Sequence, residues 1–438
     1  MSFKDNLVKA RSYIVFLVGL ACAFGTVMWI EFRSGWAVAG AAPAIAASSG
    51  RAPVRAARPL TEQERQWART AWTYFERNVD PQTGLPGSVE NFPSGTMWDV
   101  GSYLMAVISA RQLQLIDEAE FDVRIGRALA SLQKLPLFDE QLPNKAYNIQ
   151  SLQMTDYANN ASARGVGWSV IDVGRLLVPL NVLAWQHPRH TENARRVIAS
   201  WKVSQLSRNG ELMGARVDKE GKTEYIQEGR LGYEQYASKT FSLMGMDVTA
   251  SSSYTRNIAY AEIYGVDVAH DRRIPRLFGA QNFVVSEPHV LDGLEFGWDN
   301  TSRELSWRVY LAQQRRWERT GVLTAVTEDH IDQAPYFVYN TVFSDGKAWN
   351  AITESGEDAS KFRSLSTKAA FGWYALFDTP YSRKLVEAVA PLHDPQRGWF
   401  GGRYEVDGRP NKSVTANTNA VVLESLAFIE RGPFVRYH

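Results

Sequence analysis

An all-α double ring of helices, an (α/α)6 toroid, is the fold this sequence predicts, and two observations predict it. Along residues 61–434, helical segments that are apolar on every face take turns with segments that carry one apolar stripe, six of each. The long connections all run from a one-striped segment to the next all-apolar one. A helix apolar all round sits inside a fold and a one-striped helix covers it. Val100–Arg111 is apolar or small until its last residue, whereas Glu120–Lys134 has the stripe Phe121, Ile125, Leu129 and Leu132, with Asp122, Arg124 and Arg127 off it.

The chain opens with Lys4, Lys9 and Arg11 ahead of an uncharged run, Ser12–Ile30. That run is close to the ~20 residues that span a bilayer. Its basic flank predicts a cytoplasmic tail at 1–11, a transmembrane anchor or signal at 12–30, and a body exported to the periplasm of a bacterial envelope. Ala44-Ile45-Ala46 offers a cleavage site as the alternative to an inner-membrane anchor. Residues 31–60, rich in Ala, Pro and Arg, read as a flexible linker.

The toroid occupies 61–434. Thr61-Glu62-Gln63-Glu64 is a capping box, and the helix it opens, with Trp67, Ala71, Tyr74 and Phe75 at core spacing, is a cover with no inner helix before it. Ala416–Ile429 looks buried and has no cover after it, so the first helix covers the last and closes the ring. Between them the pattern predicts inner helices near 97–113, 167–185, 228–246, 287–297, 367–378 and 416–430. Covers are predicted near 120–134, 191–206, 303–319 and 381–392, with the sixth at Ser253–Tyr264. The 287–297 segment is irregular because it carries Asp292 and Glu295. The returns 135–166, 207–227, 265–286, 320–366 and 393–415 must share the side where the inner helices begin, and long connections are often functional. Asn209-Gly210 and Glu220-Gly221 make 207–227 a hairpin.

A net charge of +1 gives no support for nucleic acid as partner. The one cysteine, Cys22, lies in the N-terminal run, so the body has no disulfide and no cysteine metal site or nucleophile. No H-E-x-x-H, G-x-S-x-G or P-loop pattern is present, and neither a metal nor a cofactor is expected. Glu328-Asp329-His330-Ile331-Asp332 reads as a solvated acidic turn rather than a metal cluster, and His289 as a hydrogen-bonded core histidine.

Carboxylates gather where inner helices begin: Asp99 after Trp98, Glu228 at the third and Glu287 at the fourth. Acidic first turns favour the helix dipole, but three on one rim also suit glycosidic cleavage, where one carboxyl donates a proton and another activates water or attacks carbon. Glu228 and Glu287 are the expected pair, with Asp99 third. The 14 Trp and 18 Tyr suit a cleft lined by flat rings, and Trp98, Trp168, Tyr233, Tyr339, Asn340, Trp349 and Trp399 are the expected substrate-binding residues.

The stretches PSGTMWDVGSYLMA (93–106), GWSVIDVGRLL (167–177), QEGRLGYEQYASK (227–239), NFVVSEPHVLDGLEFGWD (282–299) and TAVTEDHIDQAPYFVYNTVFSDG (324–346) resemble those of the domain of unknown function 3131 family, bacterial envelope proteins often labelled glucoamylase-like. The resemblance spans nearly all of 61–434. It implies a six-hairpin glycosidase-like toroid, distantly similar to endo-β-1,2-glucanases, and supplies no catalytic pair. The expected function is therefore a glycoside hydrolase acting on an oligo- or polysaccharide. A polysaccharide lyase, or a non-catalytic glycan-binding component of a polysaccharide export system, is the alternative.

Overall fold

The computed structural model describes residues 19–20, 22–26, 52–275 and 281–435. The chain divides into two units, Met1–Ala46 and Ala47–His438. Of the 12–30 run only 19–20 and 22–26 are described, and they are helical; the rest of that segment lies outside the described residues. Among the described residues no helix is long and apolar enough to cross a membrane.

The larger unit is a closed ring. Six inner helices, α2 (Met97–Gln112), α4 (Val170–Gln186), α6 (Tyr233–Leu243), α7 (Glu287–Leu291), α9 (Thr367–Leu376) and α11 (Ala416–Arg431), pack each on the next, and α11 returns to α2. Five outer helices cover them among the described residues: α1 (Glu62–Arg77), α3 (Glu118–Leu132), α5 (Thr191–Ala199), α8 (Asn300–Thr320) and α10 (Pro380–Val389). The inner helices are buried nearly from end to end; in α11 every residue from Ala416 to Ile429 except Asn417 is buried. Small residues let them approach. A Cβ on Gly174 of α4 would lie 2.7 Å from the Ala237 Cβ of α6, and one on Gly372 of α9 would lie 2.3 Å from Val290 of α7.

The sixth outer position is not a helix. Ser253–Tyr264, expected as the missing cover, forms turns and then the first strand of a hairpin, whose strands are Ile258–Ile263 and Val266–Asp271. The turn pair Tyr264-Gly265 has φ of 53° and 80°, the left-handed pair of a two-residue type I′ turn. The second strand packs on α8. The hairpin at 207–227 is present, with β1 (Glu211–Val217) paired to β2 (Thr223–Gln227).

The irregular inner segment has a structural cause. α7 is a single short helix that continues as a π-helical turn over Asp292–Phe296. Its two acids are each paired: Asp292 with Lys239 at 2.6 Å, and Glu295 with Arg175 and with the Tyr236 hydroxyl at 2.7 Å. Arg175 also meets Glu424 at 2.5 Å, so a fully buried arginine ties α4, the π turn and α11 at the centre of the ring.

The first helix closes the ring as its pattern demands. The Thr61–Glu64 capping box forms, α1 packs on α11, and Arg65 reaches Glu430 at 3.2 Å. Residues 52–60 strap the floor: the Arg55 amide bonds the Leu376 carbonyl and the Arg58 amide bonds that of Ile429, both at C-terminal ends of inner helices. The opposite face, where the inner helices begin, is the mouth.

Candidate active site at the mouth of the ring

Each inner helix delivers its first turn to the mouth, so the capping chemistry and the candidate site share residues. Asp99 illustrates the overlap. It is the N3 residue of the α2 capping box, and its Oδ2 accepts from the Thr96 amide (3.1 Å), the Thr96 hydroxyl (2.6 Å) and the Ser88 hydroxyl. That oxygen is committed to holding the start of α2.

Glu228 does not open α6, as its place in the sequence suggested. It sits in the approach to that helix, after β2 and before Gly229 and Gly232, both at positive φ. Gly214 on β1 leaves room for it, since a Cβ there would stand 2.3 Å from Glu228 Oε2. The Val170 amide at the α4 N-terminus donates to Oε2 at 2.8 Å, and the Ser169 hydroxyl lies 2.8 Å from Oε1. Ser169 Oγ also lies 3.0 Å from Oδ1 of Asp172. Both carboxyl groups are half-buried and meet at one hydroxyl, so their nearest oxygens are within about 6 Å of each other.

A serine hydroxyl has one proton to give. If it goes to one carboxylate, contact with the other requires a proton on that carboxyl. Burial, then the Glu228 charge, pushes Asp172 up to about 7. Burial also raises Glu228, while Lys145, Ser169 and the Val170 amide pull it back. Asp172 is therefore the member that holds a proton near neutrality. Sequence reasoning missed it. The available signal was Ser169-Val170-Ile171-Asp172, which reads as an ordinary helix cap with an acidic first turn.

Glu287 lies in a second constellation. It is buried, its Oε2 meets the Lys368 ammonium, and its Oε1 accepts from Asn417 Nδ2 at 2.6 Å. It thereby links the first turns of α7, α9 and α11. Asp329 stands 3.8 Å from the same ammonium, is 2 % exposed, and has an Oδ2 without a hydrogen-bond partner. Burial raises Asp329 well above the carboxylate range and brings Glu328 up to about 7. Burial would lower Lys368, but Glu287, Asp329 and Glu328 hold it above the usual lysine range. The segment expected to be a solvated acidic turn is thus a buried strand, β3 in the mouth (Glu328–His330), paired with Phe337–Asn340. Its acids are sheltered separately: Asp329 stands beside Lys368, and Glu328 Oε2 accepts from the Thr327 hydroxyl at 2.6 Å. Among the described residues no group of three or more His, Cys, Asp and Glu could hold a metal. His289 bonds the Ser306 hydroxyl at 3.2 Å, and burial holds its ring at about 4, so it stays neutral.

The aromatic residues divide. Trp98 and Tyr233 meet edge to face at 5.6 Å, both half-buried at the starts of α2 and α6. Tyr339 stacks on Phe283 at 3.9 Å, and both Tyr339 and Tyr157 feel the charges of Asp172, Glu228 and Glu354. Trp168 and Trp399 are different: each is 0 % exposed, with its indole N–H spent on a backbone carbonyl, Met213 and Trp67 respectively. They are core residues: Trp168 lies just before α4 and Trp399 on a buried strand, Gly398–Tyr404. Trp349 packs between Tyr264 and the Arg316 guanidinium of outer helix α8. Asn340 is buried, and its amide reaches Ser364 at 3.5 Å.

Solved structures share this architecture. A protein of Bacteroides caccae provisionally called a glucoamylase superposes with a TM-score of 0.61 at 11% identity, over 84% of this chain and 93% of that one. An endo-β-1,2-glucanase from Chitinophaga pinensis, in complex with sophorotriose and glucose, gives 0.60 at 11% identity, over 85% and 94%. An endo-β-1,2-glucanase from Talaromyces funiculosus with sophorose gives 0.57 at 11%, over 85% and 84%. At these identities the likeness is one of fold. No curated protein matches the chain. Residues 66–432 match the family described as protein of unknown function DUF3131, and the chain belongs to that family.

Proposed function

We propose that this protein is a glycoside hydrolase that cleaves a neutral glucan at the mouth of the ring, with Asp172 and Glu228 as its paired carboxylates. The observation that carries the reading is the single serine hydroxyl shared by two carboxyl groups, one of which keeps its proton to about pH 7. Asp172 donates that proton to the leaving glycosidic oxygen. Glu228, oriented by the Val170 amide and Ser169, supplies the negative charge that activates water or stabilises the developing oxocarbenium ion. Trp98, Tyr233, Tyr157 and Tyr339 offer faces for sugar rings.

Charge argues for a neutral substrate. The groups around Tyr157 and Tyr339 are mostly acidic, so a uronate would meet like charge, and a lyase needs cations there to neutralise it. The resemblance of fold to endo-β-1,2-glucanases makes β-1,2-glucan the first substrate to try. Glu287 and Asp99, occupied by Lys368 and by the α2 cap, act here as supports for the rim. The basic flank and uncharged run at the N-terminus support a body held at the periplasmic side of the inner membrane.

The test is release of reducing ends from a neutral-glucan panel headed by β-1,2-glucan. Asp172→Asn and Glu228→Gln should each lose about 10²–10⁴-fold in kcat. Full activity in both variants on a substrate the wild type cleaves would remove the assignment.

A further inference from the structure

A cavity of about 660 Å³ opens on the floor, between the ends of α2 and α4 and the starts of α3 and α5. It lies on the side of the ring away from the carboxylate pair. Its walls bring cations together. Arg111, from the last turn of α2, faces His187, and beside them are Arg189 and His190. Among the described residues neither Arg111 nor the His187 ring has a hydrogen-bonded or ion-paired partner; His187 only packs on Phe121, at 4.8 Å between ring centres. His190 is 5 % exposed, gives its Nε2 to Asp122 at 2.8 Å, and has an Nδ1 with no partner.

The acids of this wall are already engaged. Asp122 is held by Arg189 at 2.7 Å and by His190, and Glu118 by Arg189 at 3.4 Å. What remains is a guanidinium without a counter-ion and, beside it, an imidazole without a hydrogen-bond partner. His190 is also the N-cap of α5 and makes no side-chain capping bond, so amide donors of that first turn add to the positive edge. Burial, then His190 and Arg111, hold His187 below its usual value against the pull of Asp122, which favours the neutral ring with one N–H to donate.

We propose that this floor cavity binds a phosphate ester, with Arg111 as the principal ligand and His187 as a further donor. A guanidinium fork suits two phosphate oxygens, and the volume is that of a small-molecule site rather than of a bare ion. The negative helix end behind Arg111 offsets part of its charge, so the expected affinity is modest. The phosphate could belong to a soluble ester or to a lipid headgroup.

The experiment titrates glycerol 3-phosphate into the purified full-length chain in nonionic detergent, followed by calorimetry. Saturable binding is expected, weakened about tenfold by Arg111→Gln and by His187→Gln, and unchanged by Lys219→Gln on the exposed hairpin loop. The titration is then repeated in nanodiscs of phosphatidylglycerol and of phosphatidylcholine. Loss of the soluble ester's binding only in phosphatidylglycerol identifies the lipid as the source; equal binding in both identifies a soluble ester. No saturable binding in detergent, or binding that survives both substitutions in variants that melt like the wild type, overturns the proposal.

Discussion

Replacing Asp172 by asparagine should cut kcat about 10²–10⁴-fold and yet make the protein more stable above neutrality. An isolated aspartate ionises near 3.8, whereas burial and Glu228 bring Asp172 to about 7. Between those values the folded chain binds a proton that the unfolded chain has released. Stability therefore falls as pH rises through this window and is level above it. The full shift corresponds to about 4 kcal/mol; because the side chain keeps some contact with solvent, about 1–3 kcal/mol is the measurable share. Asparagine carries no charge and can donate to the Ser169 hydroxyl in place of the protonated acid. Denaturant unfolding at pH ~4.5 and ~8, followed by tryptophan fluorescence, gives the comparison. Glu234 and Glu328 are also raised to about 7, so the quantity to read is the difference between variant and wild type at each pH. The variant's gain should be small at the lower pH, about a quarter of the full effect because ~4.5 is already above 3.8, and complete at the higher. Parallel pH dependences would show that Asp172 ionises freely in the folded state, and the proton-donor assignment would fall with that result.

Three further outcomes follow from other contacts. Asp99→Asn should lower the unfolding midpoint by about 1 kcal/mol, the worth of a helix cap, and leave kcat within a few-fold; a loss of kcat matching that of Glu228→Gln would return Asp99 to the chemistry. Lys368→Met strands Glu287 beside Asp329 in a buried site and should cost about 3–5 kcal/mol in denaturant unfolding, while Lys368→Met combined with Glu287→Gln should recover part of it; equal losses in both would mean the pair is not coupled. Gly174→Ala places a methyl 2.7 Å from Ala237 Cβ and should cost about 1–3 kcal/mol, read as a lowered melting temperature; a neutral result would mean that α4 and α6 can separate.

The ring was legible because its signal is long and redundant: α2 and α11 are apolar on all sides, and only an interior position tolerates that. The hairpin at 258–271 was not, since its strands alternate buried and half-exposed positions only loosely, and the deciding signal was the short pair Tyr264-Gly265. In the candidate site, Glu228 was visible as an acid at the expected start of the third inner helix. Asp172 was hidden because an acid three residues after a serine cap has a sufficient local explanation. Lys368 and Asn417 were hidden because each is the second residue of a helix otherwise read as apolar. Trp168 and Trp399 show the opposite failure: residue type suggested sugar stacking, while burial depends on where the loop folds, which no spacing encodes.

The closure of the ring has a consequence for the order of folding. α2 is seated between α4 and α11, yet α11 is the last of the six inner helices along the chain. Until it arrives, the apolar flanks of α2 and α9 have no neighbour, and α1 has no helix to cover. A chain delivered from its N-terminus must keep those surfaces apart from other chains for the whole of its synthesis, and truncation before residue 416 should yield not a smaller ring but an aggregating one.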